Sequence, residues 1–142
     1  MINYNDYLAD IGITDGVVKD KVEKIIAHYN KFYDLEKLKD IFISDYISED
    51  GNRNYTSLWL IYENRICEAK NFITEVDLDS GSYPMNNIVY WNLKSKELIG
   101  DEIKDSDRLL LDVIFTTGVT GNFKAAKNNC RHLLRILKTY FV

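Results

Sequence analysis

Tyr55-Thr56-Ser57-Leu58-Trp59-Leu60-Ile61-Tyr62 is followed by Glu63-Asn64 and then by Arg65-Ile66-Cys67-Glu68-Ala69-Lys70-Asn71-Phe72-Ile73. Two runs rich in β-branched and aromatic residues, separated by two polar ones, read as an antiparallel hairpin. Upstream, Ile41, Ile43 and Ile47 alternate with Phe42, Ser44 and Tyr46, a strand pattern, and Glu49-Asp50-Gly51-Asn52 turns that strand into the hairpin. Downstream, residues 87–93 and 109–116 read as strands. Lys94-Ser95-Lys96 turns toward a short partner near Leu98, and residues 122–126 return after a turn bracketed by Gly118 and Gly121. Residues 75–86 read as a loop, because Asp77, Asp79, Gly81 and Pro84 all disfavour regular structure. Residues 100–106 form an acidic loop.

Helical periods occur only at the two ends. Val18, Val22, Ile25, Ile26 and Tyr29 make one apolar stripe over residues 16–32, with Thr14 or Asp15 as the N-cap. Cys130, Leu133, Leu134, Leu137 and Phe141 make another over residues 127–141. The expected order is a helix, six or seven antiparallel strands and a C-terminal amphipathic helix. This is an α+β arrangement whose sheet closes into a barrel or curves strongly. Over about residues 40–142 this order resembles the pleckstrin-homology-like barrel. The resemblance is one of element order, carried by no motif, and it implies a lipid- or peptide-binding module.

The chain has 142 residues, with 18 Lys+Arg against 22 Asp+Glu and a net charge of −4. Its 46% hydrophobic and 28% charged content is that of a folded core, and its length is that of a single domain, residues 1–142. Repeat arrays, collagen, coiled-coil rods and disulfide-stapled mini-proteins are excluded. The first residues, Met1-Ile2-Asn3-Tyr4-Asn5-Asp6, lack the basic and apolar regions of a signal peptide, and no apolar run is long enough to span a bilayer. A cytoplasmic protein is expected, with Cys67 and Cys130 as reduced core thiols. The abundance of Asn, Ile, Lys and Tyr, with Pro84 alone of its kind, suggests an AT-rich bacterial or phage genome.

No phosphate-binding glycine loop is present, and Gly118-Val119-Thr120-Gly121 reads as a hairpin turn. Glu68-Ala69-Lys70 is the sharpest enzymatic candidate. On a strand, Glu68 and Lys70 face the same way, so the carboxylate can hold a divalent cation while the ammonium stabilises charge on a phosphate. A metal-dependent nuclease or phosphodiesterase needs a further acidic residue from the preceding strand, and residues 55–62 supply none. His28 and His132 lie on different helices, and no Cys-x-x-Cys exists, so soft metal sites are set aside. Glu75, Asp77 and Asp79 lack the remaining ligands of an EF-hand loop. Neither cysteine has the exposed, electropositive setting of a nucleophile.

Charge patterning points elsewhere. Lys127, Arg131, Arg135 and Lys138 make a basic stripe on the last helix, suited to an acidic protein or an anionic lipid. Asp77 with Asp79, and Asp101 with Glu102 and Asp105, make acidic loops that steer a basic partner. Net negative charge disfavours nucleic acid. Adjacent Tyr90 and Trp91 must point to opposite faces of their strand, so one is exposed unless something covers it. The expectation is a small acidic, non-enzymatic binding protein, without cofactor, that occupies a protein partner as an immunity protein, antitoxin-like inhibitor or phage counter-defence protein does. A small ligand stays open. The alternatives are the Glu68/Lys70 phosphodiesterase and the lipid- or peptide-binding module.

Overall fold

The structure is a computed structural model that describes residues 4–33, 38–74 and 77–142. Helices α1 (Tyr4–Asp10) and α2 (Gly16–Asn30) precede strands β1 (Leu38–Ile47), β2 (Arg53–Tyr62), β3 (Arg65–Lys70) and β4 (Asp79–Pro84). A 3-10 turn, Met85–Asn87, leads to β5 (Ile88–Ser95), β6 (Arg108–Phe115) and β7 (Thr120–Ala126), then to α3 (Asn129–Ile136). The α+β class is as expected, but the strands form two antiparallel sheets, ordered β1-β2-β3-β4 and β5-β6-β7, and neither closes into a barrel. The 3-10 turn separates β4 from β5, so the ladder breaks there. The chain divides into two compact units, Met1–Ile43 with Thr56–Met85, and Ser44–Tyr55 with Asn86–Val142.

In the first unit α2 starts where its cap predicts, with the Asp15 carboxylate accepting from the Val17 N–H at 2.8 Å. Helix α1 is absent from the sequence reading. It ends in a Schellman motif, with Gly12 at φ 89°, the Gly12 N–H on the Ala9 carbonyl and the Ile13 N–H on the Leu8 carbonyl. The Tyr7 hydroxyl accepts from the Ile43 N–H at 2.9 Å and fastens α1 to β1. The Tyr29 hydroxyl donates to the Glu68 carbonyl at 3.2 Å, and the Tyr62 hydroxyl to the Asn30 side chain at 2.8 Å, fastening α2 to β3 and β2. Leu58 through Tyr62 are buried without alternation, which is the mark of a strand covered on both faces.

Strands β3 and β4 differ from expectation. Strand β3 stops at Lys70 because Asn71 turns left-handed at φ 49°, a conformation Asn tolerates. Residues 79–84 form β4 rather than a loop, paired along its length with β3 from Arg65↔Pro84 to Lys70↔Asp79. An edge position explains this, since Pro84 ends the strand and Gly81 needs only one neighbour.

In the second unit β6 alternates strictly, placing Leu109, Leu111, Val113 and Phe115 inward with Phe123 and Ala125 of β7. Helix α3 packs on β6 and β7 through its buried Cys130, Leu133 and Ile136. It begins at Asn129, not at residue 127, because Lys127 is left-handed at φ 55°, and it ends in a π-helical turn, Leu137–Phe141. The Gly118 turn is present at φ 83°. The expected short partner strand near Leu98 is not formed, and Leu98 is 97% exposed.

Asp45 organises this unit. Its carboxylate accepts from Arg53 Nε at 2.6 Å, Asn129 Nδ2 at 2.8 Å and the Ala126 N–H at 2.9 Å. Arg53 also donates to the Ala126 carbonyl and to Asn128 Oδ1. Burial pushes the Asp45 carboxyl up from its ordinary range, while Asn129, Arg53 and the Ala126 N–H pull it back toward the charged form. One buried acid thereby joins β1, β2, β7 and α3.

Candidate functional site

Strand β5 is an edge of its sheet, and its exposure sets it apart from β6 and β7. Val89 is 57%, Tyr90 57% and Trp91 39% exposed. The sequence required one of Tyr90 and Trp91 to be exposed unless covered. Both are, because an edge strand with solvent on two sides shelters neither face. The register shifts between Ile88 and Tyr90, an irregularity next to the aromatic pair. Tyr90, Trp91 and Asn92 line an open groove of about 430 Å³ with Asp112, Ile114 and Thr120. Segment 96–107 follows directly, carrying the exposed Leu98 and the exposed Asp101, Glu102 and Asp105. Its end is anchored by Lys104, whose N–H donates to the Asp107 carboxylate at 2.7 Å, and by Arg108, whose Nη1 donates to the Asp105 carbonyl at 2.6 Å.

The Glu68/Lys70 candidate gains a partner that the sequence reading did not foresee. In the register of β3 with β4, Lys70 stands opposite Asp79 and Glu68 opposite Gly81, so Glu68, Lys70 and Asp79 share one face. A second carboxylate on this face is thus supplied by the following strand, not the preceding one. Burial pushes the Glu68 carboxyl up, with hydrogen bonding to Ser57 and the Lys70 charge lowering it and the Asp79 charge raising it. Among the described residues no three His, Cys, Asp or Glu side chains gather around a common metal position. Asp77 is exposed, and Glu75 lies outside the described residues.

Arg131 on α3 and Lys138 in the π-helical turn after it are exposed and Arg135 is half-buried, while Lys127 sits in the turn before the helix. Cys67 and Cys130 are both free and buried, as expected, and burial pushes the Cys130 thiol up to about 11. His28 stacks edge-on against Phe32 at 5.0 Å between ring centroids, an ordinary helix-surface contact. Among the described residues no helix is long and apolar enough to cross a membrane. No protein-family model, curated protein or solved structure matches the chain significantly.

Proposed function

We propose that the chain is a small acidic, non-enzymatic binding protein of the cytoplasm, and that it takes an extended strand of a protein partner along β5. The exposed Val89-Tyr90-Trp91 edge carries this reading. A strand edge offers unpaired N–H and C=O groups for main-chain pairing, and large aromatic anchors supply binding energy beside it. Asp101, Glu102 and Asp105 follow as an acidic rim, so the partner strand is flanked by basic residues. Immunity proteins, antitoxin-like inhibitors and counter-defence proteins work by such occupation of a partner.

Affinity capture from the source cell, with mass spectrometry, tests it. The wild type is expected to retain a protein that the Tyr90→Ala/Trp91→Ala variant releases and a Phe32→Ala control on the exposed Phe32 retains. Retention by the β5 variant removes the reading. Charge reversal at Asp101 and Asp105 is expected to lower the association rate about tenfold at low salt and to leave dissociation nearly unchanged. Stopped-flow mixing with the captured partner measures both rates, and an unaltered association rate shows that the rim does not steer.

A second reading is favoured by Asp79 facing Lys70 beside Glu68. A divalent cation held by Glu68 and Asp79, with Lys70 stabilising phosphate charge, would make a phosphodiesterase. Purified chain with magnesium or manganese should then cleave DNA, RNA or a cyclic nucleotide, and Glu68→Gln or Asp79→Asn should abolish cleavage. Cleavage that survives both substitutions, or none by the wild type, eliminates the site.

A further inference from the structure

We propose that a cleft in the second unit binds a small, multiply charged phosphate ligand, with a nucleotide as the form its floor accommodates. The cleft measures about 400 Å³, within the range of small-molecule sites, and Lys94, Lys96, Arg108 and Lys124 surround it. These cations come from β5, the segment after it, β6 and β7. The register places Lys94, Leu110 and Lys124 in one row across the sheet, with Leu110 in the middle. The two lysine positions stand two strand spacings apart, roughly 10 Å, a gap that long side chains close over one anion.

The charges are uncompensated where an ion pair would be expected. The ion pairs Lys24–Asp20 and Arg53–Asp45 involve none of the cleft cations. Asp45, which lines the cleft, is committed to Arg53, Asn129 and the Ala126 N–H. Arg108 spends Nη1 on the Asp105 and Asp107 carbonyls, and Lys124 Nζ lies 6.0 Å from the centre of the Tyr46 ring. Asp112, the carboxylate nearest in register on this face, stands two residues along from Leu110, between Asn92 and Asn122. Four like charges around one cleft repel each other, in a chain whose net charge is −4, and a multiply charged anion relieves that repulsion. Leu110 supplies an apolar floor, with the buried Leu109 and Ala125 at its margin, and Tyr46 a ring face for a planar group. This combination selects a base joined to phosphates over a bare anion. The proposal stands whether or not β5 takes a partner strand.

Isothermal titration of the full chain with ATP, pyrophosphate and adenosine tests it. ATP is expected to bind, pyrophosphate more weakly and adenosine not measurably, with ATP affinity falling as salt rises. Lys94→Ala/Lys124→Ala should weaken ATP about tenfold or more. Tyr46→Ala should weaken ATP and leave pyrophosphate unchanged. Arg131→Ala/Lys138→Ala, on α3 and the turn that ends it, should change neither. Absence of binding by ATP and pyrophosphate up to about 1 mM overturns the proposal. So does undiminished ATP binding by the Lys94/Lys124 variant, or an equal loss in the α3 variant, which would mean a diffuse field and no cleft. Equal binding of pyrophosphate and ATP, insensitive to Tyr46→Ala, overturns the nucleotide form.

Discussion

Asp45→Ala is expected to destabilise the second unit by about 3–5 kcal/mol. The substitution leaves the Arg53 guanidinium without its carboxylate and deprives the Asn129 amide and the Ala126 N–H of their acceptor. Arg53 is mostly buried, so water replaces the lost partner only in part. The cost is the penalty of stranded donors, not the worth of an intact ion pair, which burial largely offsets. Hydrogen exchange gives a local reading. Amides of β6, β7 and α3 should lose at least about a hundredfold in protection. Arg53→Met should also be damaging, because it strands the acid. Protection of β7 unchanged in Asp45→Ala would mean that sheet and helix packing alone hold this unit.

Tyr90→Ala/Trp91→Ala should weaken the partner complex by about two orders of magnitude or more, since each side chain has the character of a hot spot worth roughly 2 kcal/mol. The same change should barely alter folding. Tyr90 is 57% and Trp91 39% exposed on an edge strand, and the buried face of the sheet is supplied chiefly by β6 and β7. That separation makes the prediction informative. Loss of affinity with unchanged unfolding assigns the aromatics to binding, whereas loss of both assigns them to the fold. Surface plasmon resonance on the captured complex should show the change mainly as faster dissociation.

Much of the architecture was legible in the chain. The β2–β3 hairpin, the Asp15 cap, the strict alternation of β6 and the Gly118 turn each combine a local preference with a hydrophobic period, and local rules suffice for them. Strand β4 was not legible, because Asp79, Gly81 and Pro84 contradict a strand locally and pairing with β3 overrides them. The division into two sheets depends on a three-residue turn at Met85–Asn87 that carries no strong punctuation. Helix α1 spans only seven residues and depends on Tyr7 and the Gly12 cap.

The sites were less legible. The Tyr90-Trp91 adjacency signalled exposure, yet nothing local shows that β5 is an edge. Lys70 and Asp79 meet across strands, so spacing along the chain does not pair them. The cleft cations Lys94, Lys96, Arg108 and Lys124 are scattered over three strands and a connecting segment, whereas the basic stripe on α3 stood out because helical spacing is periodic. Charge patterns that fold topology assembles are invisible until the register is known.

The most direct measurement is photocrosslinking in the source cell, with benzoylphenylalanine placed at position 91 and, as control, at position 32. Both positions are exposed in the free chain. Occupation of a partner through β5 predicts one discrete protein adduct from position 91 and none of that mass from position 32. No adduct from position 91, or the same adduct from both positions, would contradict it.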